Sequence, residues 1–243
     1  MEALFDSTRL HGIDVSAFAE PADWGALREQ SVTFAFIECA RGTEKGRYFS
    51  EQWNRCAVAG IRKGAYQRLF SHAPGADQAE AFVAAFRGQS PRLAPDDLPP
   101  ALDAEYDDDR DTMHTDRAGF TKLLRSWIAV VQRAFKRLPI LYTSWRFWHE
   151  FMAEAEEFSR LPLWIAHYGV TKPQLPQAWH NYTFWQHAKE KCIEGFSPTV
   201  DLDIFNGSES DLSNFILGSR TGCLPSFIPP RNASNFQAPG PGR

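Results

Sequence analysis

Asp103 and Glu105 stand two apart in Leu102-Asp103-Ala104-Glu105, where the apolar stretch Leu98-Pro99-Pro100-Ala101-Leu102 gives way to the acidic run Tyr106-Asp107-Asp108-Asp109. On a β-strand, positions i and i+2 share a face, so both carboxyl groups would look into one space. Like charges that close resist joint ionisation, and one group then keeps its proton while the other stays anionic. Such a division of labour suits hydrolysis of a glycosidic bond, where a proton donor works beside an anionic stabiliser. An ordinary strand end followed by a solvated acidic loop gives the same triplet, so its meaning depends on the elements that position it.

Eight short β-rich segments recur along the chain, at 12–16, 33–39, 63–69, 101–105, 139–143, 163–167, 182–186 and 199–204. Helices are predicted at 24–30, 50–59, 76–87, 115–137 and 144–156, where apolar residues return at spacings of three and four. In 115–137, Phe120, Leu123, Leu124, Trp127, Ile128, Val131 and Phe135 form one stripe, which reads as core. The intervals 169–176 and 189–198 read as loops. The pattern predicts an α/β fold: an irregular TIM-like (β/α) barrel of eight strands with helices missing between the last three. Residues 1–9 are expected to be an N-terminal extension, 10–218 the catalytic barrel and 219–243 a disordered Pro/Gly-rich tail, with Phe227, Ile228 and Phe236 as candidate docking points.

Functional groups in such a barrel gather at the C-terminal ends of its strands. Asp14 lies at the end of the first strand, Asp103 and Glu105 at the fourth, and Asp201 and Asp203 on the eighth. First and eighth strands are neighbours in a closed barrel, so Asp14 and Asp201 are expected to meet. Tyr66, Tyr142, Trp164, Tyr168, Trp185 and Gln186 fall at comparable positions and are the candidate substrate-binding residues. Several acids within aromatic walls suit the hydroxyls and apolar faces of a sugar.

Composition narrows the alternatives. The 243 residues are enough for one barrel, and 8 Trp, 6 Tyr and 19 Phe supply both core and stacking surface. A net charge of -4 without a Lys/Arg block argues against nucleic-acid binding by phosphate neutralisation. Cys39, Cys56, Cys192 and Cys223 are scattered, which makes free thiols the default, leaves one or two disulfides open outside the cytosol and points to no zinc site; neither a metal nor another cofactor is expected. No stretch approaches the ~20 apolar residues of a membrane span. Residues 1–6 lack a basic and an apolar leader region, so the chain is expected to be made in the cytoplasm without a signal peptide.

The ordered motifs resemble glycoside hydrolase family 25, the Chalaropsis-type lysozymes. They are Gly12-Ile13-Asp14-Val15-Ser16, Ala59-Gly60-Ile61, Gly64-Ala65-Tyr66, Gln78-Ala79-Glu80-Ala81-Phe82, and Leu98 to Glu105. Further on come Pro139-Ile140-Leu141-Tyr142-Thr143-Ser144, Pro162 to Tyr168, Phe184-Trp185-Gln186 and Val200 to Gly207. The resemblance runs from about residue 10 to about 216. It implies cleavage of the β-1,4 bond between N-acetylmuramic acid and N-acetylglucosamine in peptidoglycan. By position it makes Glu105 the general acid and Asp103 its partner, as stabiliser or as orienter of the 2-acetamido group; Asp14 and Asp201 become further pocket acids, and Tyr66 and Tyr142 pocket tyrosines. The anticipated setting is action on the cell wall or periplasm by a monomer, used as an endolysin or as a delivered effector. The latter implies a secretion apparatus and an immunity protein as partners.

Three departures accompany the resemblance. Glu38 and Arg41 look exchanged relative to the family's usual order, Asp203 stands where Asn is common, and Gln67-Arg68 follows Tyr66 where His or Phe is often seen. The competing readings are a catalytically silent sugar-binding module and a glycosidase directed at N-acetylglucosamine polymers, whose acid motif Leu-Asp-Ala-Glu fits poorly.

Overall fold

A computed structural model describes residues 8–107 and 112–221. Most of the anticipated extension, together with Cys223, Phe227, Ile228 and Phe236 of the tail, lies outside the described residues.

The strands are β1 (Leu10–Val15), β2 (Val32–Arg41), β3 (Glu44–Lys45), β4 (Arg62–Arg68), β5 (Ala101–Asp103), β6 (Ile140–Ser144), β7 (Leu163–Ala166), β8 (Phe184–Lys191) and β9 (Val200–Phe205). Hydrogen bonding runs in the order β1-β9-β8-β7-β6-β5-β4-β2-β3, and an additional β1–β2 pairing closes eight of them into a barrel. β3 is a two-residue flap folded back on the end of β2. The predicted eight-stranded, irregular α/β barrel is therefore the fold observed.

Pleating sorts the side chains into two cores. One strand face, with Phe34, Phe36, Tyr66, Ala101, Ile140, Tyr142, Trp164, Phe184 and Phe205, fills the barrel interior. The other, with Ile13, Ala35, Ile37, Leu102, Leu141, Ile165, Trp185 and Ile204, packs against the surrounding helices and loops. Gly12 and Gly64 make room inside. A Cβ on Gly12 would lie 2.3 Å from the Phe34 ring, and one on Gly64 would lie 2.9 Å from Phe36.

The helices are α1 (Trp24–Glu29), α2 (Phe49–Val58), α3 (Gly75–Arg87), α4 (Arg117–Phe135), α5 (Trp145–Glu150) and α6 (Glu209–Thr221). α4 carries the predicted stripe inward, and Asp116 caps its start by accepting from the Gly119 N–H at 2.8 Å. α5 stops at Glu150, short of the expected 156, and a single 3-10 turn (Glu156–Phe158) follows.

Two sequence expectations change. β8 runs on to Lys191 and pairs with Val200, so the first part of the expected 189–198 loop is strand. α6 was not anticipated, because Leu212, Phe215 and Ile216 stand among Ser, Asn and Gly residues of low helix propensity. Those three side chains are buried against the barrel interior. Ser219, the expected first residue of the tail, is buried inside this helix and accepts the Leu138 N–H, which moves the end of the folded unit to at least Thr221.

β9 is antiparallel to both β8 and β1. The β8–β9 link, residues 192–199, is too short for the crossover that a parallel pair requires. Reversal puts the beginning of β9, not its end, level with the C-terminal ends of the other strands.

Candidate active site

Asp14 near the end of β1 lies directly opposite Asp201 near the start of β9, and Gly12 lies opposite Asp203. The expected meeting of Asp14 and Asp201 thus occurs, and Gln186 on β8 ties it together. Its Nε2 donates to Asp14 Oδ2 at 2.6 Å and to Asp201 Oδ2 at 3.3 Å, while its Oε1 accepts the hydroxyls of Tyr142 at 2.8 Å and Tyr168 at 2.5 Å. Both amide hydrogens and both carbonyl lone pairs are in use, and the carboxylates fix which way the amide points. Gln186 therefore organises the pocket's acids and phenols.

Asp203 sits one layer deeper. Trp164 Nε1 donates to its Oδ1 at 2.7 Å, and its Oδ2 is buried without a partner. Burial, and then the charges of Asp203 and Asp201, push the Asp14 carboxyl well above the ordinary carboxylate range. Burial does the same to Asp203, with Asp201 adding to it, and burial also raises Asp201. Three acids this close in a desolvated space resist joint ionisation.

A second acidic group lies across the barrel mouth. β5 ends at Asp103, whose carboxyl is buried, and the Ala104 N–H continues the ladder to Tyr142 O at 3.0 Å. Glu105 stands on the bend beyond the end of the strand and is half-buried. Arg68, opposite Asp103 at the end of β4, makes an ion pair with Glu105, and its Nη1 lies 3.6 Å from Asp103 Oδ2. Burial pushes the Asp103 carboxyl up to about 6 against the opposing pull of Arg68. Asp103 Oδ1 is buried with no partner.

Glu38 on β2 completes this side. It accepts the Ala17 N–H at 2.6 Å and pairs with Arg41 through two contacts of 2.9 and 3.0 Å. The exchanged charges noted in the sequence are thus an intact ion pair. Tyr66 and Tyr142 bridge the two acidic groups. Burial first, and then Glu38, Asp14 and Asp103, raise the Tyr66 phenol; burial and then Tyr168, Asp103 and Asp14 raise Tyr142. Both phenols stay neutral hydrogen-bonding groups.

Two anticipated substrate-binding residues are corrected. Trp185, 3% exposed, is next to Gln186 on β8 and so faces the opposite side of the sheet, where its Nε1 donates to His167 O at 2.8 Å. Trp164, 1% exposed, does point into the barrel, but its ring is stacked on Phe36 with centroids 4.2 Å apart. Neither offers a ring face to a ligand. Tyr168, 38% exposed, does. Arg68 and Glu38 were not among the expected site residues; the available signal was a charged residue at the end of each strand flanking an acid-bearing one. A separate cleft at the opposite barrel end, lined by Arg9, Arg160, Tyr182, Asn206 and others, has Asp211 as its single carboxylate and lacks an acid pair.

A barrel whose mouth gathers paired carboxyls, phenols and a guanidinium holds the kinds of group that a glycoside hydrolase needs for proton transfer and charge stabilisation. Comparison with known proteins places it further. The signature of glycosyl hydrolases family 25 matches residues 13–196, and the chain belongs to that family. It is 29% identical over 214 residues to lysozyme M1 of Streptomyces globisporus, covering 85% of this chain and 71% of that protein. It is 30% identical over 219 residues to the protein YegX of Escherichia coli O157:H7, covering 87% and 75%. The bacterial lysozyme from Streptomyces coelicolor superposes with a TM-score of 0.78 at 25% identity, covering 89% of this chain and 100% of the other.

Proposed function

We propose that the chain is a muramidase that hydrolyses the β-1,4 bond between N-acetylmuramic acid and N-acetylglucosamine in peptidoglycan, with Glu105 as general acid. The observation that carries this reading is the Asp103–Glu105 turn with Arg68 between the two carboxyls. Glu105 is the more accessible of the pair and stands where a glycosidic oxygen can reach it. Its contact with Arg68 must be exchanged for that oxygen, and Asp103 is the alternative anion for the guanidinium. As Arg68 moves toward Asp103, the charge balance shifts: Glu105 loses the cation that favours its ionised form, and Asp103 gains one.

Asp103 then faces the sugar with its unpartnered Oδ1. A buried acceptor lacking a donor costs free energy until a ligand supplies one. The N–H of a 2-acetamido group is a donor of the right kind, and holding it aims the acetamide oxygen at the anomeric carbon. Asp103 thus orients the acetamido group and opposes the oxocarbenium charge; retention of anomeric configuration follows. Asp14, Asp201 and Gln186 hold Tyr142 and Tyr168 in place at the opposite wall. The substrate implies action on a cell wall, by release as an endolysin or by delivery as an effector.

Purified peptidoglycan solubilised by the protein and read by mass spectrometry tests this. New reducing ends on N-acetylmuramic acid support a muramidase; ends on N-acetylglucosamine, or no release at all, overturn it. Glu105→Gln should lose on the order of 10²–10⁴-fold in turnover while remaining folded. Inverted product seen by NMR would remove the acetamido route.

A further inference from the structure

Beside the acid turn, the loops that follow β4 and β5 bring together His72, Asp107 and His114, none of which the hydrolytic chemistry uses. One ligand atom from each lies within 4.8 Å of the others. The carboxylate is already oriented: the Ser71 N–H donates to Asp107 Oδ1 at 2.8 Å and the Ser71 hydroxyl to Asp107 Oδ2 at 2.5 Å. Ser71 Oγ in turn accepts the His114 N–H at 2.6 Å, so one serine fixes both the carboxylate and the backbone that carries the second imidazole. His114 Nε2 stands 3.9 Å from Asp107 Oδ2. His72 stacks on Phe70 with centroids 5.4 Å apart and meets the His114 ring edge to face at 5.6 Å.

We propose that these three side chains form a binding site for a divalent transition metal of the zinc class. Two imidazoles and one carboxylate match zinc's preference for nitrogen with one oxygen, and three protein ligands leave a coordination position open to water. Bonds of about 2.0–2.2 Å to zinc bring tetrahedral ligand atoms to about 3.3 Å from one another. The present spacing of up to 4.8 Å is wider by at most about 1.5 Å, a gap that rotamer changes of His72 and His114, both exposed, can close. The aspartate need not move, since Ser71 supplies the outer-shell hydrogen bonds that ligating carboxylates require. Calcium and magnesium, which take oxygen ligands, are poorly served by two imidazoles. Occupancy would pin the loop after β5 to the loop after β4, and those two strands end in Asp103 and Arg68. No spacing in the sequence signals this site, because His72 and His114 lie 42 positions apart and the link between them is made only by the fold.

Untagged protein, stripped with EDTA and dialysed, is titrated with zinc chloride by calorimetry, and its thermal midpoint is followed with and without the metal. The expected result is one saturable site and a midpoint that rises with zinc. His72→Ala and His114→Ala should each weaken binding by about 10–100-fold or more and abolish the midpoint rise. Cys192→Ser, which removes the exposed thiol, should leave both unchanged. Absence of saturable binding, undiminished binding in the two histidine variants, or loss of binding in Cys192→Ser would overturn the proposal. Both histidines are exposed, so the variants retain the fold, and circular dichroism checks this.

Discussion

Asp103→Asn separates what the site contributes to chemistry from what it costs in stability. Burial raises the Asp103 carboxyl from the ordinary 3.8 to about 6. As pH rises from 4 to 6, the unfolded chain gives up this proton while the folded chain keeps it, so the folded state loses stability with increasing pH. A displacement of about two pH units at about 1.4 kcal/mol each comes to a penalty of about 3 kcal/mol, fully present above about pH 7 and absent below about pH 4. Asparagine has no proton to lose. Urea unfolding at half-unit steps from pH 4 to 7 should show the variant near the parent at pH 4 and about 3 kcal/mol more stable at pH 7. Acids remote from Arg68 and Glu38 titrate alike in both proteins and cancel in the difference. Hydrolysis of peptidoglycan by the variant should fall at least about 10²-fold, the exchange of stability for function expected where a carboxylate is held in a dry site. A stability difference that does not vary with pH, or a variant less stable than the parent at pH 7, would refute the reasoning.

Asp203→Asn keeps an acceptor for Trp164 Nε1 and gives Asp14 a donor in place of a competing acid. Since burial raises the Asp203 carboxyl, the same sign applies: the variant should be more stable than the parent at pH 7, by a margin that shrinks as pH falls, as urea midpoints at pH 5 and 7 will show. Gln186→Ala removes the partner of two carboxylates and two phenols at once and should destabilise the fold by about 1–3 kcal/mol, measured by urea unfolding. Gly75→Ala should also destabilise by about 1–3 kcal/mol, because a Cβ there would lie 2.1 Å from Leu123 O on α4; the thermal midpoint should drop, against the usual gain of replacing a helical glycine.

Much of the barrel is legible in the sequence because each strand carries its own alternation. Phe34 and Phe36 face inward while Ala35 and Ile37 face the helices, and that pattern needs no knowledge of the partner strands. The same rule, applied to Trp185 and Gln186, separates them: adjacent residues cannot both face the pocket. Burial of Trp164 follows from depth within the barrel, which alternation does not encode. α6 is not legible in the sequence, since its three apolar residues gain their meaning only by closing the barrel end.

The sequence by itself determined the order of the motifs, the eight strands and the presence of Asp14, Asp103, Glu105 and Asp201 near strand ends, for these are properties of local spacing. Tertiary structure decided what those acids experience. Reversal of β9 lifts Asp201 to the level of Asp14, Gln186 joins them to two phenols, and Arg68 arrives from the neighbouring strand to stand between Asp103 and Glu105. Desolvation and charge proximity depend on groups far apart along the chain, and so the raised carboxyl of Asp103 is a result that two carboxylates at i and i+2 could not reveal.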